Sequence, residues 1–235
     1  MPPVGYFASA TSTYDVMAGT CTLLTPSAVR TNDVLLALLA APTTSTITPP
    51  AGWVEIASVP ASGPVPVSMT LYRRIAAAAE PAQHVFAGTP GVTPHVLGIL
   101  LLYRGLDRGA AIVDNQSIDV NPGNTAYPAP SITLQTYSDL ALFVYFNQAA
   151  TPPDWTPAAG TTARATNKAS SGTGSLFVAD QLVEAVGPTG TRTATASQSG
   201  IGHAAAFALK AEPTLPAPSI VPDVAGAIGL PTVGV

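Results

Sequence analysis

The amino-acid sequence predicts an all-β fold, and three observations carry that reading. Short runs of aliphatic and β-branched residues alternate with Pro, Gly, Ser and Thr clusters at close spacing, which is the rhythm of a sandwich or barrel. Of the 235 residues, 47% are hydrophobic and only 9% are Asp, Glu, Lys or Arg, against about 25% charged in an ordinary soluble domain. The 20 Gly and 24 Pro are spread through the chain and leave no stretch for a long helix. The same numbers exclude function classes. A net charge of −4 and a pI near 5.1 argue against nucleic-acid binding through a basic surface. The apolar content argues against disorder throughout, and the scarcity of Glu, Lys and Arg argues against a coiled coil.

Taken in order, the first expected strands are residues 17–24, 33–40, 53–59, 67–75, 83–87 and 95–104. In 67–75 the residues Val67, Met69, Leu71 and Ile75 are apolar while Ser68, Thr70, Tyr72 and Arg74 are more polar, the period of a strand with one face in a core. Residues 76–80 have helix-forming composition, but five residues ending at Pro81 cannot sustain a helix and read as a turn. A second set of strands is expected at 132–134, 140–147, 162–166, 175–183, 191–196 and 203–210. The intervening residues 105–129 read as a surface excursion.

The two sets form an internal repeat. Asn32-Asp33, an apolar strand, a Pro-containing loop, Trp53, Leu71-Tyr72 and His95 recur as Ser138-Asp139, an apolar strand, a Pro-containing loop, Trp155, Leu176-Phe177 and His203, offset by 106 to 108 residues at the Asp and His positions. Two copies predict two Greek-key-like halves of one sandwich. Residues 34–40 and 96–103 are apolar at every turn of the pleat, so both faces need cover. A two-layer sandwich covers only one face, and the second is expected to lie under a loop, an arm or another chain.

Few residues point to chemistry. Gly-x-Ser-x-Gly, Gly-x-Gly-x-x-Gly and a phosphate-cradling Gly-Lys-Thr do not occur. Asp180 and Glu184 are the nearest approach to a paired-carboxylate site, four residues apart, and read more simply as solvated strand-end charges. His95 and His203, with Asp33 or Asp139, are the residue types of a transition-metal site, but no His-x-His or His-x₃-His spacing supports one. Asp107, Asp114, Asp119, Asn121 and Asn124 have the oxygen donors of a calcium loop, in a segment where turn chemistry explains them equally. Cys21 is the single cysteine, so neither an intrachain disulfide nor a cysteine zinc site is expected, and a buried apolar role is. Trp53 and Trp155 each follow a Pro-rich loop. Exposed, they would stack on sugar rings; their repeat-related placement favours a plug closing each half. No cofactor and no metal is expected.

Residues 211–235 differ in character. They carry Pro213, Pro216, Pro218, Pro222 and Pro231, two charges, and the apolar residues Leu215, Ile220, Val221, Val224, Ile228, Leu230 and Val233. No strand or helix period runs through them. The division expected is a domain over residues 1–210 and an extended Pro-rich arm over 211–235 that lies on a neighbouring subunit. Met1-Pro2-Pro3-Val4-Gly5 lacks the basic start and apolar run of a secretory signal, and the longest apolar runs are eight residues, so neither export nor a membrane partner is expected.

The run Asn32-Asp33-Val34-Leu35-Leu36-Ala37, Pro50-Ala51-Gly52-Trp53, Leu71-Tyr72-Arg73-Arg74, Ala79-Glu80-Pro81 and Tyr103-Arg104-Gly105-Leu106-Asp107 resembles a jelly-roll, concanavalin-like β-sandwich domain of tailed-phage virion proteins. The resemblance covers about residues 14–210, with Asn32 where the family usually has Gly and no second Pro-x-Gly-Trp at Pro153-Asp154-Trp155. It implies a jelly roll with no catalytic residues, found in head decoration proteins, head fibres and tail parts. The expected function is therefore a non-enzymatic virion structural protein, most simply a capsid decoration or cement protein assembled in the host cytoplasm. Its expected partners are itself, as a trimer or other homo-oligomer, and the major capsid protein or other virion proteins. The alternative is a carbohydrate- or receptor-binding module of a tail fibre or baseplate, with Trp53 and Trp155 stacking on the ligand.

Overall fold

The computed structural model describes residues 4–15, 17–90, 96–109, 113–135, 139–169, 174–183 and 185–212. Among these every regular element is a strand, so the all-β expectation holds. No helix among them is long and apolar enough to cross a membrane. The first half of the chain supplies β1 (Gly5–Thr11), β2 (Thr13–Asp15), β3 (Thr20–Leu24), β4 (Val34–Pro42), β5 (Val54–Val59), β6 (Val67–Ile75), β7 (Gln83–Ala87) and β8 (Leu97–Arg104). The second supplies β9 (Val113–Pro122), β10 (Ala126–Ala129), β11 (Thr133–Leu134), β12 (Leu140–Gln148), β13 (Trp155–Thr156), β14 (Thr162–Lys168), β15 (Ser175–Leu182), β16 (Gly187–Pro188), β17 (Arg192–Ala196) and β18 (Ile201–Leu209).

In the first half a five-stranded sheet, β1-β8-β4-β6-β5, faces a three-stranded sheet, β2-β3-β7. In the second, a five-stranded sheet β9-β18-β12-β15-β14 faces a three-stranded sheet, β10-β17-β13, and a short β11-β16 pair. The two large sheets share one strand order. Val34 pairs with Ile75 and Tyr103, and Leu140, 106 residues on, pairs with Leu182 and Leu209. Even the irregularities match: β5 bulges between Glu55 and Ala57, and β14 bulges between Ala163 and Ala165. The repeat legible in the sequence is a repeat of register.

Three cores follow from this arrangement. Leu35, Ala37 and Leu39 on one face of β4 pack with Cys21, Leu23 and Phe86 of the small sheet. Ala141, Phe143 and Tyr145 on one face of β12 pack with Tyr127, Ala129, Ala194 and Ala196. The opposite faces meet each other. Val34, Leu36, Leu38, Leu97, Ile99 and Leu101 from the first half and Leu140, Leu142, Val144, Phe146, Val178 and Phe207 from the second form one cluster. The molecule is thus four layers deep, small sheet, large sheet, large sheet, small sheet. Each half is itself a sandwich, where the repeat predicted two halves of one, and the two sandwiches stack through their large sheets.

This corrects the expectation about β4 and β8. Their second faces are covered by the other half of the same chain, not by an arm or a neighbour. Every residue of β4 is buried for this reason. The surface excursion expected between the repeats is corrected as well: β9 is a ten-residue strand at the edge of the second large sheet. Its composition is polar because an edge strand has one neighbour and little cover. Val113, Ile118 and Val120 pack against the central core. The strands β1 and β2 also escape notice in the sequence, since apart from Tyr6, Phe7 and Tyr14 residues 5–15 are Gly, Ala, Ser, Thr and Asp with no apolar alternation.

Because the central core holds both halves together, cavities there are expected to be costly. Leu38→Ala should lower the unfolding free energy by about 2–5 kcal/mol in a urea titration.

Candidate functional site

The residues that carry the family resemblance form two polar clusters at one end of the first half. Asn32 sits at φ 69°, the left-handed conformation that Gly usually supplies and Asn tolerates. That turn leads into buried Asp33, whose Oδ2 accepts from the Arg30 amide at 2.8 Å. Arg104, at the end of β8, donates to both Asp33 oxygens at 2.8 and 3.1 Å and to the Ala28 carbonyl at 2.7 Å. The Asn-Asp and Tyr-Arg-Gly motifs are therefore the two sides of one ion pair.

The Pro-Ala-Gly-Trp, Tyr-Arg-Arg and Glu-Pro motifs make the second cluster. Arg74 pairs with Glu80 at 2.5 Å and donates to the Ala51 carbonyl at 2.7 Å. Gly52, at φ 84°, leaves the space its own Cβ would take to the Arg74 guanidinium. Glu80 also accepts from the Ala77 amide at 2.7 Å. Trp53 Nε1 donates to His84 Nδ1 at 3.2 Å. His84 Nδ1 is thus an acceptor and its proton is on Nε2, which faces Glu80 Oε1 at 3.3 Å and Thr25 Oγ1 at 3.2 Å. Burial, ahead of the opposing pull of Glu80, holds the His84 pKa below its usual value. A buried Glu-His pair of this kind has the parts of an acid/base dyad, but its atoms are already engaged in closing the loop.

Both indoles face inward. Trp53 is buried against His84 and Phe86, with ring centroids 5.0 and 5.3 Å away. Trp155 is half-buried, stacked on Phe177 at 5.6 Å and edge-on to Tyr127 at 5.0 Å, and its Nε1 donates to Ser175 Oγ at 2.8 Å. Trp53 has no free face for a sugar ring, while Trp155 packs on the second core and keeps part of its surface exposed.

The other candidate residues are also engaged. Cys21 is fully buried, and burial pushes its thiol pKa up to about 11 despite a hydrogen bond from Ser12. Asp107 Oδ1 accepts from the Gly109 amide, Asp119 Oδ1 from the Val120 amide, and Asn121 Oδ1 from the Gly123 and Asn124 amides. The Asp107 and Asn121 contacts close turns and the Asp119 contact lies within β9, while the side chain of Asp114, the remaining carboxylate of this candidate calcium loop, is outside the described ones. Among the described residues no group of three or more His, Cys, Asp and Glu side chains is arranged to hold a metal ion. His95, Glu184 and the arm residues Leu215, Ile220, Val221, Val224, Ile228, Leu230 and Val233 lie outside the described residues.

The polar groups that sequence reasoning did not bring together lie on the seam between the large sheets. Asp180 is not the solvated strand-end charge the sequence suggests: it is 1% exposed, pairs through Oδ1 with Arg164 Nε at 2.8 Å and accepts at Oδ2 from the Tyr103 hydroxyl of the other half at 2.6 Å, because β15 lies inside the stacked large sheets. The Arg164 guanidinium lies 4.4 Å over the Tyr6 ring, and its carbonyl accepts from Ser9 Oγ at 3.3 Å. Burial, reinforced by Asp180, raises the Tyr103 pKa well above its usual value. Asn167 Nδ2 donates across the seam to the Gly98 carbonyl at 2.9 Å and to Ser12 Oγ at 3.0 Å. His203 Nε2 donates to the Val67 carbonyl at 3.0 Å, and burial lowers its pKa. A cleft of about 200 Å³ opens beside Asn167, between Ser12–Tyr14, Val96–Leu97 and Lys168–Ala169. Lys168 on its wall pairs with Asp154 at 2.6 Å.

Comparison with protein-family models, with curated proteins and with solved structures finds no match to this chain. The resemblance to phage virion domains therefore rests on the motif residues alone.

Two outcomes are expected. Asp180→Asn leaves Arg164 without its counter-charge and should cost roughly 3–5 kcal/mol of stability, measured by chemical denaturation. His84 and His203 have lowered folded pKa values, so the unfolded chain binds their protons first. Their contribution is complete above about pH 6.5 and is lost as pH falls from there through the lowered folded values. Melting temperature should drop over that window, and His203→Asn should flatten the drop.

Proposed function

We propose that the chain is a non-enzymatic structural protein of a tailed-phage virion, in its most specific form a capsid decoration protein that assembles as a homo-oligomer through its C-terminal arm. The observation that carries this reading is the distribution of charge over the two outermost sheets. On the outer face of the second small sheet the outward residues are Ala126, Pro128, Thr156, Thr193 and Thr195, none of them charged. On β3 and β7 of the first they are Thr20, Thr22, Leu24, Gln83, Val85 and Ala87, again without charge, and the edge strand β2 adds one acidic residue, Asp15, in register with Thr20. Leu24 is 60% exposed and Val85 38%. Such faces lose little solvation on burial, so they suit packing against other subunits.

The motif residues support the reading in a second way. Asp33, Gly52, Trp53, Arg74, Glu80 and Arg104 each have a partner within the fold, as expected of a scaffold family whose members share architecture without a shared catalytic centre. The arm supplies the adhesive element. Residues 213–235 hold one charged side chain, Asp223, among eight large aliphatic residues. Laid on a neighbouring capsid or decoration subunit, they would gain about 25 cal/mol for each Å² of apolar surface covered. The carbohydrate-binding alternative draws no support from Trp53, whose ring is enclosed.

Light scattering after size exclusion tests the reading, on the whole chain and on a chain ending at Glu212. Truncation belongs there because the Glu212 amide donates to the Gly105 carbonyl at 2.7 Å and its carboxylate pairs with Arg108, so a shorter chain would damage the domain itself. The whole chain is expected to be an oligomer that co-sediments with phage heads, and the truncated chain a monomer with the same melting temperature. A whole chain that is monomeric and ignores heads would sink the proposal. The double variant Leu24→Glu, Val85→Glu should weaken self-association without lowering thermal stability, because both side chains are exposed.

A further inference from the structure

We propose that the seam between the two sandwiches is a one-way interface: the second half's large sheet is built to accept a first half and to reject a second copy of itself. The equivalence of the two halves makes the question concrete. The two inner faces are related position by position, Val34 with Leu140, Leu36 with Leu142 and Leu38 with Val144, so at these positions the seam is apolar on both sides. Either half could by that measure pair with its own kind, as the halves of an isologous dimer do.

The polar residues break the equivalence. Asp180 pairs in register with Leu142 as Arg73 does with Leu36. His203 stands opposite Phe146 as Leu97 stands opposite Ala40. Arg164 and Ile56 are the bulged residues of β14 and β5, and Asn167 and Val59 lie at matching places beyond the bulges. In the first half three of these four places hold apolar residues that pack in the central core. The fourth, Arg73, is turned to the link after β8, donating to the carbonyls of Arg108 and Gly109. Three of these second-half groups, Asp180, Asn167 and His203, thus cross to partners that the first half presents: the Tyr103 hydroxyl, the Gly98 carbonyl with Ser12, and the Val67 carbonyl; the fourth, Arg164, holds Asp180 from its own half and lies over the Tyr6 ring of the other.

Pairing two second halves would put Leu209, the counterpart of Tyr103, opposite the Asp180 carboxylate. A buried carboxylate would lose its hydroxyl donor and face hydrocarbon, which is the kind of repulsive element that sets specificity. Pairing two first halves would bury Tyr103 without Asp180 and the Val67 carbonyl without His203. Only the mixed pair satisfies both sides, so the fused halves hold the two outer sheets at a fixed separation and cannot re-pair between chains into like-with-like dimers.

The test uses the folded chain, with a protease site replacing residues 110–112 in the link. After cleavage, native mass spectrometry at micromolar concentration should find one first half bound to one second half. Isotope-labelled and unlabelled cleaved protein, mixed and exchanged in mild denaturant, should trade partners while keeping that one-to-one composition, with mixed pairs exceeding like pairs by at least about 100-fold. Halves that separate after cleavage, or like pairs at comparable abundance, would overturn the proposal. The variant Arg164→Ile, Asn167→Val, Asp180→Leu, His203→Leu, cleaved in the same way, should form pairs of second halves. Their absence in a variant that folds would remove these four residues as the cause. The wild-type exchange decides the one-way character whether or not that variant folds.

Discussion

The architecture depends on the burial of two faces of the same strands. A strand in a single sandwich has one face in the core and one in water. Here β4, β8, β12 and β18 lie between two cores each, so their backbones are enclosed by hydrocarbon on both sides. Enclosed peptide groups must be paired, and they are, because each of these four strands has a neighbour on both edges. The edges of the large sheets fall instead to β1, β5, β9 and β14, whose residues are smaller or more polar and whose burial is partial. Strand order, composition and burial are three expressions of one requirement.

The polar groups enclosed by this stacking lie where hydrocarbon alone would not distinguish one arrangement from another. The Asp180 carboxylate, between the Arg164 guanidinium and the Tyr103 hydroxyl, ties the two halves together at a directional contact. The same logic operates at the ends of the sandwiches. Asp33 with Arg104, and Glu80 with Arg74 and His84, pin loops whose apolar content is too low to hold them. In each case a charged pair is half-enclosed by the core it adjoins, which strengthens it beyond an exposed pair.

Legibility followed burial. The strands 67–75 and 83–87 lie where the sequence places them, because their alternation is strong and their ends are marked by Pro and Gly. The edge strands β1 and β9 were hidden, since an edge strand has little apolar signal and β9 reads as a run of turn formers. The metal and carboxylate candidates were drawn from residue type and spacing alone. Spacing along the chain says nothing about a partner from the other half, and that is where Asp180 and His203 find theirs. The enclosure of Trp53 agrees with its repeat-related placement, whereas Trp155 at the matching place is only half-buried.

The amino-acid sequence by itself determined the all-β class, the two-copy repeat and the fact that its central strands need cover on both faces. Those properties are local: alternation, composition and recurrence are written residue by residue. What covers those faces was decided only by tertiary structure. The choice between another chain and the chain's own second half depends on how two sheets stack, and on which buried donor meets which acceptor across 77 residues from Tyr103 to Asp180. No window of sequence contains both ends of that contact.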